Sequence, residues 1–317
     1  MKPIVTLTVN PSIDGSAQTD VIRPIRKLRM TDERFDPGGG GINVARVIHV
    51  LGGATLAVYL SGGATGSVFD ALLESAAIER RRIPIQEHTR ISLTAYERSS
   101  GLEYRFVPQG PHISEAELRA CLDALEDMDH EYDYFVASGS LPPGIPDDFY
   151  AVVAEIVGRK GARLVLDTSG KALGAALKHG VYLVKPSLGE FEGLLERNLS
   201  EPARQETAAR ELVRSGAAKL VALTLGRNGA LLATERGVLR LAAPSVTAKS
   251  AVGAGDSFVA AMTFALAQGR APEDALAFGI AAGTAAVLSP GTGLCRREDV
   301  DRLYAQIKEN APATALT

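Results

Sequence analysis

The sequence has few of the residues on which disulfide-rich and zinc-binding proteins depend. Its 317 residues include two cysteines, Cys121 and Cys295, and five histidines. The cysteines form no CxxC pair and the histidines form no HExxH motif, so neither a disulfide framework nor a zinc site is predicted. Both cysteines are instead expected to lie in the core as small apolar side chains.

Long apolar runs and clustered charge are also missing. No apolar stretch is long enough to cross a bilayer, and the N-terminal MKPIVTLTVNPS lacks the charged start and long apolar segment of a signal peptide. The formal net charge is −3, and the basic residues are spread along the chain. We therefore expect a cytoplasmic protein with no membrane partner and no nucleic-acid partner.

Two common nucleotide-binding motifs are absent as well. The sequence contains no GxxxxGK[ST] motif, which disfavours a P-loop kinase. No GxGxxG motif follows a predicted strand, which disfavours a dinucleotide-dependent oxidoreductase. Any anion-binding site must therefore be local and of a different kind.

What the sequence does have is a regular alternation of strand and helix patterns. Six short β-branched runs are predicted to be buried strands, namely residues 4–9, 54–60, 134–139, 163–167, 181–186 and 219–226. Helical patterns lie between them, and hydrophobic residues make up 46% of the chain. This alternation predicts a single α/β domain over residues 1–317, in which a mostly parallel sheet carries helices on both faces. Ligands are expected at the carboxyl ends of the strands.

Two regions break that alternation, at about residues 12–36 and 89–107. Both show period-two patterns with exposed charge between apolar positions, which is typical of hairpins. They predict a small β-sheet lid across the strand ends, which would exclude water from a reactive phosphoryl group. The alternating Ile91, Leu93 and Ala95 need a partner surface, and we expect the lid of a second subunit to provide it in a homodimer. The alternative is a pair of decorative surface hairpins.

The segment AVGAGDSFVAAM, residues 251–262, is the most informative motif. Glycine lets the backbone turn tightly, so the amides of Gly253, Ala254 and Gly255 can point at one anion. The apolar helix that follows would add its N-terminal partial positive charge. Asp256 then lies where a carboxylate could accept a proton from a hydroxyl while the amides hold a phosphoryl group. The alternative is a glycine-rich helix start with Asp256 as a simple cap.

Several motifs resemble those of one enzyme family. PGGGGINVARVIHVLGG near the start and SAVGAGDSFVAAM near the end match the two signature regions of the ribokinase-like, or PfkB-type, carbohydrate kinases. TLTVNPSID, GGATG, SGSLPPG and TLGRNGALL, in that order and spacing, are similar to the phosphofructokinase branch. The resemblance extends over essentially the whole chain. It implies a ribokinase-like fold and phosphoryl transfer from ATP, with Mg²⁺, to a hydroxyl of a sugar phosphate.

The resemblance favours fructose 6-phosphate as the acceptor, phosphorylated at its C1 hydroxyl to the 1,6-bisphosphate. Fructose 1-phosphate and tagatose 6-phosphate are alternatives, because the same scaffold and anion hole would serve all three. The non-enzyme alternative is a catalytically silent sensor of a sugar phosphate or a nucleotide. Asp256 between flanking glycines argues against a sensor, because a pure binder needs no base.

The glycine run before the first helical pattern is expected to bind the sugar. Amides without side chains at Gly38 and Gly39 can approach a polyhydroxyl ligand closely, and Asn43 offers both a donor and an acceptor. The resemblance implies that Asp14 accepts hydrogen bonds from substrate hydroxyls. Ser140, in ASGSLPPG, is expected to contact the same ligand.

Basic residues of the two lid regions are candidates for binding the phosphate of the substrate. They are Lys27, Arg29, Arg90 and Arg105. Arginine suits a phosphate because its planar fork donates two parallel charge-assisted hydrogen bonds. Lys27 and Arg90 match positions of the phosphofructokinase pattern, and the resemblance favours these two.

The nucleotide side is assigned mainly through the resemblance. Lys185 ends a predicted strand, and Glu190 near the start of the next helix could hold Mg²⁺ directly or through water. Ser187 stands where the family usually has the asparagine of an NxxE motif, and its hydroxyl has a shorter reach. The positions that resemble ATP-contacting residues are Thr224, Gly226, Gly229 and Thr284.

The stretch VLSPGTGLC, residues 287–295, resembles the monovalent-cation loop of the family, where backbone carbonyls could coordinate K⁺. The positions implied are Ser250, Val252, Ala286, Ser289 and Gly291. Gly293 stands where the resemblance leads us to expect an arginine. The alternative is an ordinary Gly/Pro loop.

Overall fold

Strands and helices alternate along most of the computed structural model, which describes residues 1–129 and 131–310. Within these ranges the strands are β1 (Ile4–Thr8), β2 (Ser12–Thr19), β3 (Thr31–Gly38), β4 (Thr55–Gly62), β5 (Glu79–Ile85), β6 (Arg90–Glu97), β7 (Leu102–Phe106), β8 (Tyr134–Ser138), β9 (Arg163–Asp167), β10 (Val181–Val184), β11 (Ala218–Thr224), β12 (Ala230–Thr234) and β13 (Gly237–Leu241). The helices are α1 (Gly40–Val50), α2 (Gly63–Glu74), α3 (Glu115–Glu126), α4 (Phe149–Arg159), α5 (Gly170–Leu177), α6 (Leu188–Leu195), α7 (Pro202–Arg214), α8 (Ala254–Ala267), α9 (Pro272–Ala286) and α10 (Arg297–Asn310).

The larger sheet has nine strands in the order β13-β12-β11-β10-β9-β8-β1-β4-β5. The strands from β11 to β5 pair in parallel, and β12 and β13 add an antiparallel edge. The chain leaves β1 for β4 and β5 on one side and returns to β8 on the other. The strand order therefore reverses between β1 and β8, and a parallel sheet binds ligands at such a switch point.

Apolar side chains cover both faces of this sheet. One core cluster contains residues of α4 and α5, a second contains residues of α8, α9 and α10, and a smaller third contains residues of α1 and α2. Helix α8 is buried almost throughout, and it packs closely on α9 because α9 carries glycine at the contact. A Cβ at Gly279 would lie 3.1 Å from the carbonyl oxygen of Phe258. The N-terminus of α8 is thereby held at the carboxyl edge of the sheet.

The smaller sheet has four strands in the order β3-β2-β6-β7, and we call it the lid. Strands β2 and β3 are antiparallel, as are β6 and β7, and β2 joins the two pairs through parallel pairing with β6. Phe35, Gly15, Leu93 and Phe106 form one row across the four strands. The outer side chains of that row, Phe35 and Phe106, are more than half exposed.

The structure confirms the predicted α/β class, the six predicted strands and the two lid regions. Strands β5, β12 and β13 were not among the predicted ones. One detail of the lid prediction is wrong: Ala95 is buried within the subunit, so it needs no second subunit to cover it. Cys121 and Cys295 are buried and free, as expected. In the described ranges no helix is long and apolar enough to cross a membrane.

Candidate active site

The loop before α8 lies where three clefts meet. We call them the sugar-side cleft, which contains Asp14 and Arg90, the middle cleft, which contains Asp167 and Glu190, and the largest cleft of the three, which contains Thr224 and Thr284. Gly253 has a φ of 72°, which is left-handed backbone that favours glycine, and it caps α8 without any side-chain hydrogen bond. Gly253 lines the sugar-side and middle clefts, and Gly255 lines the middle and largest clefts. The first-turn amides of a helix lack intrahelical partners, so this loop can bind an anion.

Asp256 is the third residue of α8, and its side chain does not cap the helix. Its Oδ2 instead accepts a hydrogen bond of 2.9 Å from Asn43 Nδ2. The simple-cap alternative is therefore wrong. Burial, with the nearby charge of Asp167, raises the pKa of Asp256 to about 6, against the opposing effects of Asn43 and Lys185. A carboxylate with such a pKa is well placed to accept a proton near neutral pH.

The sugar-side cleft has a volume of about 170 Å³ and is lined mainly by polar groups. The predicted residues that line it are Asp14, Gly39, Asn43, Arg90, Arg105, Val252, Gly253 and Asp256. Ser12, Ser92, Thr94 and Thr292 line it as well. Burial raises the pKa of Asp14 even though Ser12 donates a hydrogen bond to it and three arginines lie nearby. The cleft thus brings acceptors for hydroxyls together with cations for a phosphate.

Arg90 is held at one end of this cleft by two backbone carbonyls. Its Nη1 donates to the oxygen of Pro108 and its Nη2 to the oxygen of Asn10, each at 2.9 Å. The two carbonyls hold the guanidinium in the wall of the cleft, where its charge can attract a phosphate.

Not every predicted substrate residue lies in the sugar-side cleft. Lys27 and Arg29 are exposed in the connection between β2 and β3, and neither lines the cleft of its own subunit. Gly38 packs against Asp14, because a Cβ there would lie 1.9 Å from Asp14 Oδ2. Ser140 lines the neighbouring middle cleft instead.

The middle cleft holds a buried ion pair. Lys185 Nζ lies 3.0 Å from Asp167 Oδ1, and Glu190 lines the same cleft. Burial opposes a charged Lys185, yet the charges of Asp167 and Glu190 raise the pKa of this lysine above its usual value. Burial also opposes the charged form of Asp167 and so raises the pKa of this carboxyl, although the neighbouring Lys185 lowers it. The ammonium and the first turn of α8 therefore converge, since Lys185 Nζ would be 3.5 Å from a Cβ at Gly255.

Ser187 and Glu190 form a capping box at the start of α6. The Ser187 hydroxyl accepts from the Glu190 amide at 3.3 Å, and Glu190 Oε2 accepts from the Ser187 amide at 2.7 Å. The serine that replaces the family asparagine thus has a structural role here. Among the described residues, no group of three or more His, Cys, Asp or Glu side chains could hold a metal ion by itself.

The largest cleft has a volume of about 870 Å³. It contains the predicted nucleotide residues Lys185, Ser187, Thr224, Gly226, Gly229 and Thr284. Its other walls include Pro244, Val246, Phe258, Ile280 and Val287, and Ala254 and Gly255 line it as well. A large, mostly apolar cleft that borders an anion-binding loop suits a nucleotide with its phosphates at that loop.

The predicted cation loop borders these clefts. The carbonyl oxygen of Val287 accepts from the amides of Lys249 and Ser250, at 2.7 and 3.4 Å. The segments that carry Ser250, Val252, Ala286, Ser289 and Gly291 are therefore neighbours. Two side chains here have local roles: Ser250 Oγ bonds Glu103 of the lid at 3.2 Å, and Ser289 Oγ donates to the oxygen of Leu294.

Sequence reasoning missed several residues around Asp256. Asp167 was visible as the polar end of a predicted strand, and that position at the sheet edge could have identified it. Arg46, Asp36 and Thr292 gave no such signal, because their importance comes from contacts between distant segments. The Thr292–Asp36 hydrogen bond, for example, joins residues 256 positions apart.

Comparison with known proteins agrees with this geometry. A model of the pfkB family carbohydrate kinases matches residues 9–299. The chain is 45% identical over 301 residues to the ATP-dependent 6-phosphofructokinase isozyme 2 of Mycobacterium tuberculosis, covering 95% of this chain and 88% of that one. It is 40% identical over 308 residues to the enzyme of the same name from Escherichia coli, covering 97% and 99%. A 1-phosphofructokinase of Borreliella burgdorferi is 31% identical, covering 96% and 97%.

Solved structures give the same result. The structure of phosphofructokinase-2 from Escherichia coli in complex with potassium matches with a TM-score of 0.93 at 40% identity, covering 97% of this chain and 100% of that one. The complex of that enzyme with fructose-6-phosphate matches at 0.91 and 39% identity, with the same coverage. A tetrameric inhibited form of the same enzyme also matches at 0.91, at 40% identity and with the same coverage.

Proposed function

The chain belongs to the pfkB family of carbohydrate kinases, and from this premise we propose that it is an ATP-dependent 6-phosphofructokinase that converts fructose 6-phosphate to the 1,6-bisphosphate. The proposal rests on the place of Asp256, a half-buried carboxylate that lines both the middle cleft and a small cleft lined with arginine, directly after Gly255 of the nucleotide-sized cleft. The relatives with the highest identities named above are 6-phosphofructokinases, at 40% and 45%, against 31% for the 1-phosphofructokinase.

Asp256 is the proton acceptor in this proposal. As the oxygen of the sugar's C1 hydroxyl attacks the γ-phosphorus of ATP, the proton of that hydroxyl passes to Asp256. The bond between the γ-phosphorus and the bridging oxygen breaks, and ADP leaves. The amides of the 253–255 loop and the Lys185 ammonium stabilise charge on the transferring group. Asn43 holds the carboxylate in place through its hydrogen bond.

Different residues of the sugar-side cleft bind different parts of the substrate. Arg90 and Arg105 bind the 6-phosphate, because both arginines line this cleft and can donate charge-assisted hydrogen bonds. Asp14 and Asn43 bind the sugar hydroxyls. The cleft therefore orients the sugar with its phosphate at the lid and its C1 hydroxyl at Asp256.

Mg²⁺ fits the middle cleft when ATP is bound. Mg²⁺ usually takes one or two protein carboxylates together with phosphate oxygens, and it does not need a cage of protein ligands. Glu190 is the residue that would hold it, directly or through water, and the ion would neutralise charge on the phosphates. We expect Glu190→Gln to shift the Mg²⁺ requirement to higher concentration. An unchanged Mg²⁺ titration would count against this role.

K⁺ binding is proposed for the loop formed by residues 249–252 and 286–291, where carbonyls would be the ligands. Support comes from the adjacency of these segments and from the potassium complex of the Escherichia coli relative. Gly293 stands where an arginine was expected, and the proposal needs no side chain at that position. Dependence of kcat on K⁺, compared with Na⁺ at equal ionic strength, is the test.

The outer face of the lid supports a homodimer. Phe35, Phe106 and Ile91 are about half exposed there, and the side chains of Phe35 and Leu93 cover the buried Gly15 between them, so the face offers a continuous apolar surface to a second copy of the chain. In sedimentation, we expect Phe106→Glu to lower the oligomeric state. Val68→Glu is the matched control, because Val68 is equally exposed on α2, outside the lid. A wild-type protein that sediments as a monomer would contradict the proposal.

The direct test of the function is a coupled assay that follows ADP formation with ATP and a panel of sugar phosphates. We expect kcat/KM for fructose 6-phosphate to exceed those for fructose 1-phosphate and tagatose 6-phosphate. Preference for either of these would reassign the acceptor. Binding of both substrates without turnover would favour a sensor.

A further inference from the structure

A line of partly or fully buried hydrogen bonds runs from Asp256 to the lid. Asn43 Nδ2 donates to Asp256 Oδ2 at 2.9 Å, and Arg46, on the same helix as Asn43, donates from Nη1 to Asn43 Oδ1 at 3.3 Å. Arg46 Nη2 donates to Asp36 Oδ1 at 3.3 Å. Asp36, on strand β3 of the lid, also accepts from Thr292 Oγ1 at 2.6 Å. The line therefore joins α8, α1, the lid and the loop that carries Thr292.

The chemistry of arginine determines which way the Asn43 amide points. A guanidinium has only donors, so the group that faces Arg46 must be the amide oxygen of Asn43. The amide nitrogen then faces Asp256 and donates to it. With the amide reversed, its oxygen would oppose a carboxylate and its NH₂ would oppose a guanidinium.

Burial makes this orientation hard to lose. Asn43 and Asp36 are 6% and 7% exposed, and the Arg46 side chain is 15% exposed. Arg46 Nη1 also donates to the oxygen of Pro37 at 2.8 Å, which fixes the plane of the guanidinium. Leaving such buried donors and acceptors unpaired is costly, so the members of the line favour one common arrangement.

We propose that Arg46 and Asp36 are positioning residues that orient Asn43, and through it the base Asp256, and that they couple the base to the seating of the lid. The proposal rests on the kinase function proposed above. A displacement of β3 would move Asp36, release Arg46 and free the Asn43 amide to turn. The base is then fully aligned only while the lid strand is in place.

The proposal also predicts a change in the titration of Asp256. The charged groups that face it or line its clefts are Asp14, Arg90, Arg105, Asp167, Lys185 and Glu190. A substitution at Arg46 leaves all of these side chains in place, although it removes a cation that lowers the pKa of Asp14. The hydrogen bond from Asn43 lowers the pKa of Asp256, so its loss should move the acid limb of the rate profile to higher pH.

The test is a double-mutant cycle between Arg46→Met and Asn43→Ala. We expect Arg46→Met alone to lower kcat by roughly ten- to hundredfold, with KM for ATP changed less than about twofold. If Arg46 acts through Asn43, adding Arg46→Met to Asn43→Ala should lower kcat by no more than about twofold further. Multiplicative effects would overturn the proposal.

Two further variants separate positioning from a general loss of folding. Asp36→Asn keeps the shape of the side chain, and we expect it to lower kcat several-fold and to be equally non-additive with Asn43→Ala. Arg34→Gln is the matched control: Arg34 donates to the same carboxylate, but its side chain is 55% exposed and none of its hydrogen bonds to the described residues reaches Asn43. We expect its kcat to stay within about twofold of the wild type. A loss as large as that of Arg46→Met would contradict the proposal.

A readout without turnover keeps this proposal distinct from the proposed function. The carboxyl carbon of Asp256 can be titrated by ¹³C NMR in labelled protein, and its pKa should rise in Arg46→Met and remain unchanged in Arg34→Gln. An unchanged pKa in Arg46→Met would overturn the positioning role. A wild-type chain that transfers no phosphate to fructose 6-phosphate would instead overturn the function.

Discussion

The two clefts that meet at the first turn of α8 are built in different ways. The nucleotide-sized cleft, of about 870 Å³, is lined mainly by glycines and apolar side chains of α6, α8 and α9 and of the loops that follow β11 and β13. The sugar-side cleft, of about 170 Å³, is lined by arginine, aspartate and hydroxyl side chains of the lid, together with Asn43 of α1, Asp256 of α8 and Thr292. We therefore expect shape and backbone contacts to select the ligand of the first cleft and charge to select the ligand of the second.

Because the clefts differ in this way, we expect specificity for the phosphate acceptor to reside in the sugar-side cleft. A backbone-lined cleft accepts any ligand with a suitable flat group and phosphates, whereas paired charges reject a ligand that leaves them unsatisfied. Substitutions on the sugar side should therefore change the choice of acceptor. Substitutions on the nucleotide side should change affinity for ATP by altering the room available.

The largest effect is expected at Asp256, which lines the sugar-side cleft and directly follows Gly255 of the nucleotide-sized cleft. Asp256→Asn keeps the shape of the side chain and removes its basicity, so kcat should fall by about 10²–10⁴-fold. Binding of ATP and of fructose 6-phosphate, measured by calorimetry, should survive. Near-normal turnover would show that the site uses no base at this position.

A smaller effect, confined to KM for the sugar phosphate, is expected at Arg90. Arg90→Ala removes a charged hydrogen-bonding partner worth about 1.5–3 kcal/mol, so KM for the sugar phosphate should rise by roughly ten- to hundredfold. KM for ATP should change little. Arg98→Ala is the control, because Arg98 lies in the lid and pairs with Asp20, away from the cleft. Equal changes in both KM values would remove the contrast between the clefts.

The smallest effect is expected on the nucleotide side. Thr284→Leu enlarges a buried side chain on the wall of the larger cleft, so KM for ATP should rise by about tenfold or less while KM for the sugar phosphate stays the same. Steady-state kinetics with each substrate varied in turn would measure both values. A rise only for the sugar phosphate would mean that the clefts have been assigned to the wrong ligands.

The same contrast explains what could be predicted from the sequence. The glycine loops at residues 38–41 and 253–255 could be predicted because the backbone geometry of such loops is determined by residues that are neighbours in the chain. Buried parallel strands were found for the same reason, through their continuous apolar runs. The edge hairpin β12–β13 was missed because its short strands lie beside a predicted glycine turn that was interpreted only as a ligand contact.

The hydrogen-bond networks between side chains could not be predicted from the sequence because they join segments that are distant in the chain. Asn43 and Asp256 are 213 positions apart, and no pattern in either segment indicates their hydrogen bond. Asp36 and Thr292 are separated by even more of the chain. Lys27 shows the converse: the resemblance favoured it for phosphate, and the structure leaves it exposed, outside the cleft of its own subunit. That assignment stays a prediction.

The pH dependence of kcat/KM for the sugar phosphate shows most directly whether Asp256 is the base. Burial raises the pKa of Asp256 to about 6, so the base is protonated below that pH and ionised above it. We therefore predict an acid limb near pH 6 in the wild type, with activity rising as the pH increases, and no such limb in the residual activity of Asp256→Asn. An acid limb that persists unchanged in Asp256→Asn would contradict the assignment of Asp256 as the base.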